Sequence, residues 1–420
     1  MPRAGVVVCL AVVAALSAAE RNGPVPGPIF PADNWWNLDI SQAPVDARSA
    51  QFIAFINNGG SRRLHPDFGG YASPGSVEIY GFPFIVVGGS QPKRAVDFYY
   101  ASESDGVDRA TGGGVPFYPI PDQAIAEPYW IEGGPPGNQR PGGDRHMIIL
   151  DRDNRHLYEL YDLYWDGTQW RGGSGAFFDL SRNARRPDGW TSADAAGLAI
   201  FPGLVRYDEA FGSDEIRHAF RVTVRATNGY VWPASHRAGS HPQALPMGAR
   251  LRLKASKDLS GFRPELQRIF RAMQRYGLIV ADNGSDMYVS GVFDPRWNND
   301  ILNPAFRALT ASDFDVVELG WRGGTGTPGP SCPLPAAPAA FSYSLSGRYV
   351  VLVWAGAVGA AEYLLEAGTA AGAANLLVTS VGSVTSVGTL APPGTYFVRV
   401  RARNACGTSD ASNELTITVL

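Results

Sequence analysis

The chain has 420 residues, of which 45% are apolar and 11% aromatic, enough to bury more than one ordinary domain core. A charged fraction of only 18%, with 49 Gly and 32 Pro, argues against a helix bundle and for strands, turns and long loops. A net charge of −3 gives no global attraction to nucleic acid, so none is expected as a partner.

Residues 1–19 read as a signal peptide, with Arg3, an apolar run from Gly5 to Leu16, and the small residues Ser17 and Ala19 at the cleavage site. The run is too short to cross a bilayer and no second one follows. The expectation is a secreted, cell-surface or periplasmic protein without a membrane span once the signal is removed.

A β-rich domain is expected over 20–322. It opens with Trp35 and Trp36 and a helix whose apolar residues Phe52, Ile53, Phe55 and Ile56 stop at Gly59 and Gly60. Residues 146–150 and 156–164, separated by a turn at 151–154, predict a hairpin. Over 217–225, His218, Phe220, Val222 and Val224 alternate with Arg221, Thr223 and Arg225, and 249–254 sets Leu251 and Leu253 against Arg250, Arg252 and Lys254. Those basic residues predict a solvated strand face, one that would suit a polyuronate. A second helix starts at Pro264, buries Leu266, Ile269, Phe270 and Met273, and ends at Gly277.

Gly, Pro and Thr make 323–331 a linker, and short alternating strands at 349–354, 363–366, 394–403 and 415–420 follow it. Trp354, Tyr363, the run from Tyr396 to Gly407 and the ending Ser412, Asn413, Glu414 resemble a fibronectin type III domain over 332–420. In bacteria such modules resemble spacers of secreted polysaccharide-degrading proteins. Cys332 and Cys406, both in this module, are expected to form a disulfide in an oxidising compartment. The fold class is thus mainly β: a large β-sandwich or jelly-roll-like domain with a few packing helices, then a fibronectin type III β-sandwich.

Several motifs are missing: a Walker loop, a dinucleotide glycine fingerprint, a zinc helix and a catalytic cysteine. Residues 172–176 come close to a nucleophile elbow but end in Ala176. His65 with Asp67, and His236 with His241, match no zinc spacing, so neither metal nor cofactor is expected, although His65, Asp67 and His146 define a metal-hydrolase alternative.

The catalytic candidates are Asp144, His146, Glu159, Asp208 and His236. Asp144 holding the tautomer of His146 would make a general base, and Arg145 between them would neutralise a substrate carboxylate. Glu159 shares a strand face with Leu157, Tyr161 and Leu163, where a carboxyl keeps its proton and can act as an acid. Asp208 follows Arg206, a second candidate for substrate binding, while His218 on an apolar strand face reads as a hydrogen-bonded core residue. Trp190 and Trp232, with Trp35, Trp36, Trp130, Trp165 and Trp170, lie in Gly/Pro-rich connections where aromatic platforms grip sugar rings.

Segments 143–146, 157–161, 189–197, 216–218, 247–250 and 276–282 also resemble a group of secreted bacterial proteins over 28–318. That resemblance implies one continuous domain and transfers no catalytic residue. Together these features predict a secreted glycan-active enzyme, a glycoside hydrolase or polysaccharide lyase acting on a polysaccharide or other extracellular glycan. The alternative is a non-catalytic glycan-binding or cell-surface module.

Overall fold

The computed structural model describes residues 19–25, 28–323, 335–404 and 407–420. The expected signal peptide up to residue 18, most of the linker, and both Cys332 and Cys406 lie outside the described residues. The chain divides into two compact units, 1–325 and 326–420. Both are mainly β, as expected from the composition.

In the first unit, a five-stranded sheet runs in the order Glu20–Arg21, Phe84–Val87, Met147–Asp151, His156–Tyr161, Ser174–Asp179. A six-stranded sheet runs Phe314–Val316, Arg250–Leu253, Leu278–Asn283, Phe220–Val224, Tyr288–Ser290, His65–Asp67. The predicted hairpin is present, with Ile148 opposite Glu159 and Leu150 opposite Leu157. Strand alternation sends Phe84, Val86, Ile148, Leu150 and Leu157 into one core with Phe220, Val222, Leu251 and Val280 of the second sheet. The opposite face of the first sheet, carrying Ile85, Val87, Met147, Ile149 and Leu160, packs against a three-stranded sheet that includes Trp170–Gly172.

The strand Phe220–Val224 is buried along its whole length. It pairs in parallel with Leu278–Asn283 and antiparallel with Tyr288–Ser290, and Asp194 of a loop laid over the sheet meets the guanidinium of its Arg221. The predicted basic face is accordingly absent. Arg221 and Arg250 are buried, Arg250 donates to the Trp35 carbonyl, and Arg252 donates to the carbonyls of Ile40, Ser41 and Ala43. The Arg250 guanidinium donates to a carbonyl and not to a carboxylate, and burial pushes Arg250 down to about 9.

Both predicted helices form, as Ser49–Asn57 and Pro264–Arg275. Asn58 ends the first in the left-handed region, and the second buries Leu266, Ile269, Phe270 and Met273. The tryptophans differ from expectation: Trp35, Trp36, Trp130 and Trp170 are buried, and Trp165, Trp190 and Trp232 are half-buried. They fasten loops to cores instead of standing as platforms.

The second unit is a β-sandwich. One sheet pairs Ser342–Ser346, Tyr349–Val353 and Ser386–Leu390; the other contains Glu362–Gly368 beside the long strand Gly394–Asn404. Trp354 and Tyr363 meet edge to face between them, 5.5 Å apart, in a core with Leu352, Leu365 and Val400.

Candidate functional site

At one end of the first unit, side chains from both sheets and from the loop 190–197 surround an open pocket of about 380 Å³. Asp144, His146 and His236 of the sequence-predicted set line it, together with Tyr100, Glu103, Tyr161, Asp194 and Asp282.

A register irregularity shapes its floor. Between Phe220–Val224 and Leu278–Asn283, Val222 is level with Val280 but Thr223 with Asp282, so Ala281 is skipped. The Ala281 carbonyl is thereby left to accept the Ala196 N–H at 2.9 Å, which ties the pocket loop to the sheet. That loop turns back at Gly197, where φ is +71° and a Cβ would lie 2.0 Å from Ser235 Oγ, so only glycine fits. Ala196 in turn accepts the N–H of Ser235 at 3.0 Å, fixing the segment that carries His236.

Beneath the pocket Arg221 donates to both oxygens of Asp194 at 2.9 Å, to Asp282 Oδ2 at 2.9 Å and to Ser290 Oγ at 2.7 Å. Two carboxylates thus balance one guanidinium. Burial pushes the Asp282 carboxyl up to about 6; Arg221 pulls it down and Asp194 pushes it further up. Asp194 is fully buried, whereas Asp282 remains about a quarter exposed and faces the pocket.

The two pocket histidines have different partners. His146 Nδ1 lies 2.6 Å from Glu132 Oε2, and its Nε2 lies 2.9 Å from the Ala193 carbonyl. Both partners can only accept, so both ring nitrogens carry a proton and the ring is an imidazolium. Burial opposes that charge, but Glu132 outweighs it and lifts His146 to about 9. His146 therefore has no lone pair to act as the expected base, and its partner is Glu132 instead of Asp144. His236 donates through Nδ1 to the Ala195 carbonyl at 2.8 Å, and its Nε2 lies 4.0 Å from Glu103 Oε2 at the pocket.

Asp144 stands exposed on the rim. Tyr161 keeps its phenol proton because burial, Asp144, Asp162, Tyr100 and Asp282 all raise its pKa.

The remaining candidates lie elsewhere. Glu159 is fully buried between the sheets, where both oxygens accept the Ile200 N–H and one also accepts that of Phe201. Burial pushes it up to about 7, the direction expected, yet it does not line the pocket. Arg145 is buried with φ at +52°, and its guanidinium is spent on the carbonyls of Pro135, Pro136 and Gln139. It therefore does not face a substrate.

Arg206 and Asp208 belong to a different cleft. Arg206 donates to Glu209 and to the Phe201 carbonyl, and Asp208 pairs with Arg296 at 2.8 Å. His218 donates from Nδ1 to the Ala219 carbonyl and meets Glu209 through Nε2, as expected of a satisfied core histidine. Trp232 packs edge-on against Trp35, and Trp190 receives the guanidinium groups of Arg109 and Arg186 on its ring. Among the described residues no group of three or more His, Cys, Asp or Glu side chains is placed to hold a metal.

Comparison with known proteins bears on the fold alone. No family profile and no curated protein matches the chain. Similar solved structures include an Fn3-like protein from Clostridium thermocellum, 23% identical, covering 21% of this chain and 96% of that one with a TM-score of 0.18. A fibronectin type III domain from the human KIAA0970 protein is 19% identical and covers 20% of this chain and 72% of that one, with a TM-score of 0.17.

Proposed function

We propose that the first unit is a hydrolase of extracellular glycans, acting in the pocket between Asp282 and His236. The observation that carries this reading is one open pocket holding both a carboxyl raised to about 6 and an imidazole whose Nε2 lies 4.0 Å from the Glu103 carboxylate. Asp282, in its protonated form, is assigned as the acid that protonates the leaving oxygen. His236 Nε2, with Glu103 beside it and Asp144 on the rim, is assigned to draw the proton from the attacking water. His146 and Arg221 act as buried positive charges that hold the surrounding carboxylates in place.

Charge favours hydrolysis over elimination. A polyuronate lyase needs a cation free to meet the substrate carboxylate, whereas the pocket presents Glu103, Asp144 and Asp282, and the cation in its lining, His146, has both N–H groups taken by Glu132 and the Ala193 carbonyl. A neutral or amino sugar suits it better. The predicted signal peptide and the fibronectin-like sandwich fit a protein that works on glycans outside the cytoplasm, the sandwich as an accessory module.

The test incubates the chain without its signal peptide with neutral, amino-sugar and uronic-acid polysaccharides, reading new reducing ends and unsaturated-uronide absorbance. Reducing ends without that absorbance are expected. Absorbance together with reducing ends would replace the hydrolase by a lyase, and binding without product would replace it by a glycan-binding module.

A further inference from the structure

The pocket is small for a polymer binder, about 380 Å³ against the roughly 300–1,000 Å³ of ordinary ligand sites, so a glycan chain entering it must continue over the surface beside it. Tyr100 lines the pocket. Tyr99, its neighbour, is 84% exposed, and the two rings meet edge to face at 5.0 Å. An aromatic ring so open to water beside a polar pocket presents a flat apolar face with nothing packed over most of it.

The backbone beneath these rings is held in place. Tyr99 N–H donates to the Gly172 carbonyl at 2.9 Å and Tyr100 N–H to that of Gly173 at 2.8 Å, so both are laced to the strand at the pocket edge. The following turn is braced by two arginines: Arg109 donates to the carbonyls of Ala101 and Ser104, and Arg186 to the Glu103 carbonyl and to Asp105. Both guanidinium groups stack on Trp190, at 4.7 and 5.4 Å from its ring centroids. Trp190 thus serves the site indirectly, by clamping the arginines that hold the turn. A ring fixed in this way loses little backbone freedom when a ligand settles on it.

We infer that Tyr99, seated against Tyr100, is a stacking subsite for the sugar ring of a glycan chain that lies just outside the pocket, so that the ligand is an oligosaccharide or polysaccharide and not a free monosaccharide. This rests on the glycan reading of the same pocket. Stacking of a sugar face on an aromatic ring needs neither charge nor a particular hydroxyl pattern, so the subsite contributes affinity while the pocket selects the ring that reacts.

The test is affinity electrophoresis of the full chain in gels containing whichever soluble polysaccharide retards the wild type, comparing Y99A, Y99W, the control Y80A and D282N. Tyr80 is 50% exposed and does not line the pocket. Y99A is expected to weaken retardation about three- to tenfold, with Y99W restoring it and Y80A behaving as wild type. Retardation of Y99A equal to that of Y80A would overturn the subsite, as would a panel in which no glycan retards the wild type. D282N, which should be retarded yet release no reducing ends, separates the two readings: wild-type binding without cleavage defeats the hydrolase and leaves Tyr99 standing, whereas cleavage with unaltered Y99A binding defeats Tyr99 alone.

Discussion

Two clusters in the first unit use the same side-chain types to opposite ends. In the cleft around Arg206 the charges are matched to one another: Glu209 accepts from Arg206 and faces His218, whose other nitrogen is taken by the Ala219 carbonyl. Burial would raise Glu209, but Arg206 and His218 outweigh it and hold that carboxyl at about 2. In the pocket, Asp282 sits near 6 with Asp194 competing for Arg221, and His236 Nε2 has only Glu103, 4.0 Å away, facing it. An Arg, a His and an acid in proximity therefore say little about chemistry. The hydrogen-bonding capacity left unspent after folding separates a structural cluster from a reactive one.

The sharpest test of this contrast pairs Asp282→Asn with Glu209→Gln. The first should lower glycan hydrolysis by about 10²–10⁴-fold, the range for loss of a general acid. The second should leave the rate intact and cost about 1–2 kcal/mol of stability, seen in urea unfolding. Equal rate losses in the two variants would erase the distinction. Because Asp282 must be protonated to act, wild-type turnover should fall as pH rises through about 6, and Asp282→Asn should lack that limb.

Next in size is His236→Gln, which keeps a polar side chain but removes the imidazole; a loss of about 10²-fold in rate is expected. A rate within twofold of wild type would leave Asp144 or Glu103 as the base.

Glu132→Gln probes the closed half of the pocket. It leaves a buried imidazolium without its counter-charge, and a loss of about 3 kcal/mol is expected in chemical unfolding at pH 6. The pair also dictates a pH dependence. The folded pKa of His146, about 9, lies above its ordinary value of 6.5, so its contribution is complete below 6.5 and disappears as pH rises through 9. In the variant that decline should come at lower pH. Superimposable stability curves for the two proteins would show that Glu132 does not hold the charge.

Much of this was legible in the sequence, and the boundary is physical. Period-two alternation placed Glu159 on the face of Leu157, and helix periodicity located Ser49–Asn57 and Pro264–Arg275, because those signals are local, though not Asn299–Arg307, which is as long as the first. Asp144, His146 and His236 were found by residue type, and all three line one pocket. Glu132 was missed because it sits in an irregular Gly/Pro-rich loop, where nothing fixes which way a side chain points. Asp282 carries no local signal that singles it out, and Arg221 belongs to a strand face expected to be solvated. Alternation tells which residues share a face but not what covers it, and here the loop that brings Asp194 onto Arg221 decides that. A proton-holding Glu159 could be inferred, but its distance from the pocket could not, since that depends on how the two sheets stack.

Glu159 provides the last and smallest contrast, a carboxyl as strongly shifted as Asp282 but sealed from substrate. Burial pushes it from 4.5 up to about 7, against the pull of the Ile200 and Phe201 N–H groups. A carboxyl raised on folding contributes stability that is complete below its unfolded pKa and is lost as pH climbs through the folded one. Between pH 5 and pH 8 the wild type should therefore lose about 2 kcal/mol on account of Glu159 alone. His146 and Asp282 act in the same direction, so the wild-type slope cannot be assigned by itself. Glu159→Gln removes one titration and keeps a carbonyl oxygen to accept the two N–H groups. Its stability relative to wild type should rise by about 2 kcal/mol from pH 5 to pH 8, whatever the fixed cost of the buried amide. Parallel unfolding curves would mean that the two N–H groups keep Glu159 ionised throughout. The carboxyl would then be a plain turn cap, and burial alone would not explain why Asp282, with its solvent-facing edge, is the acid poised for chemistry.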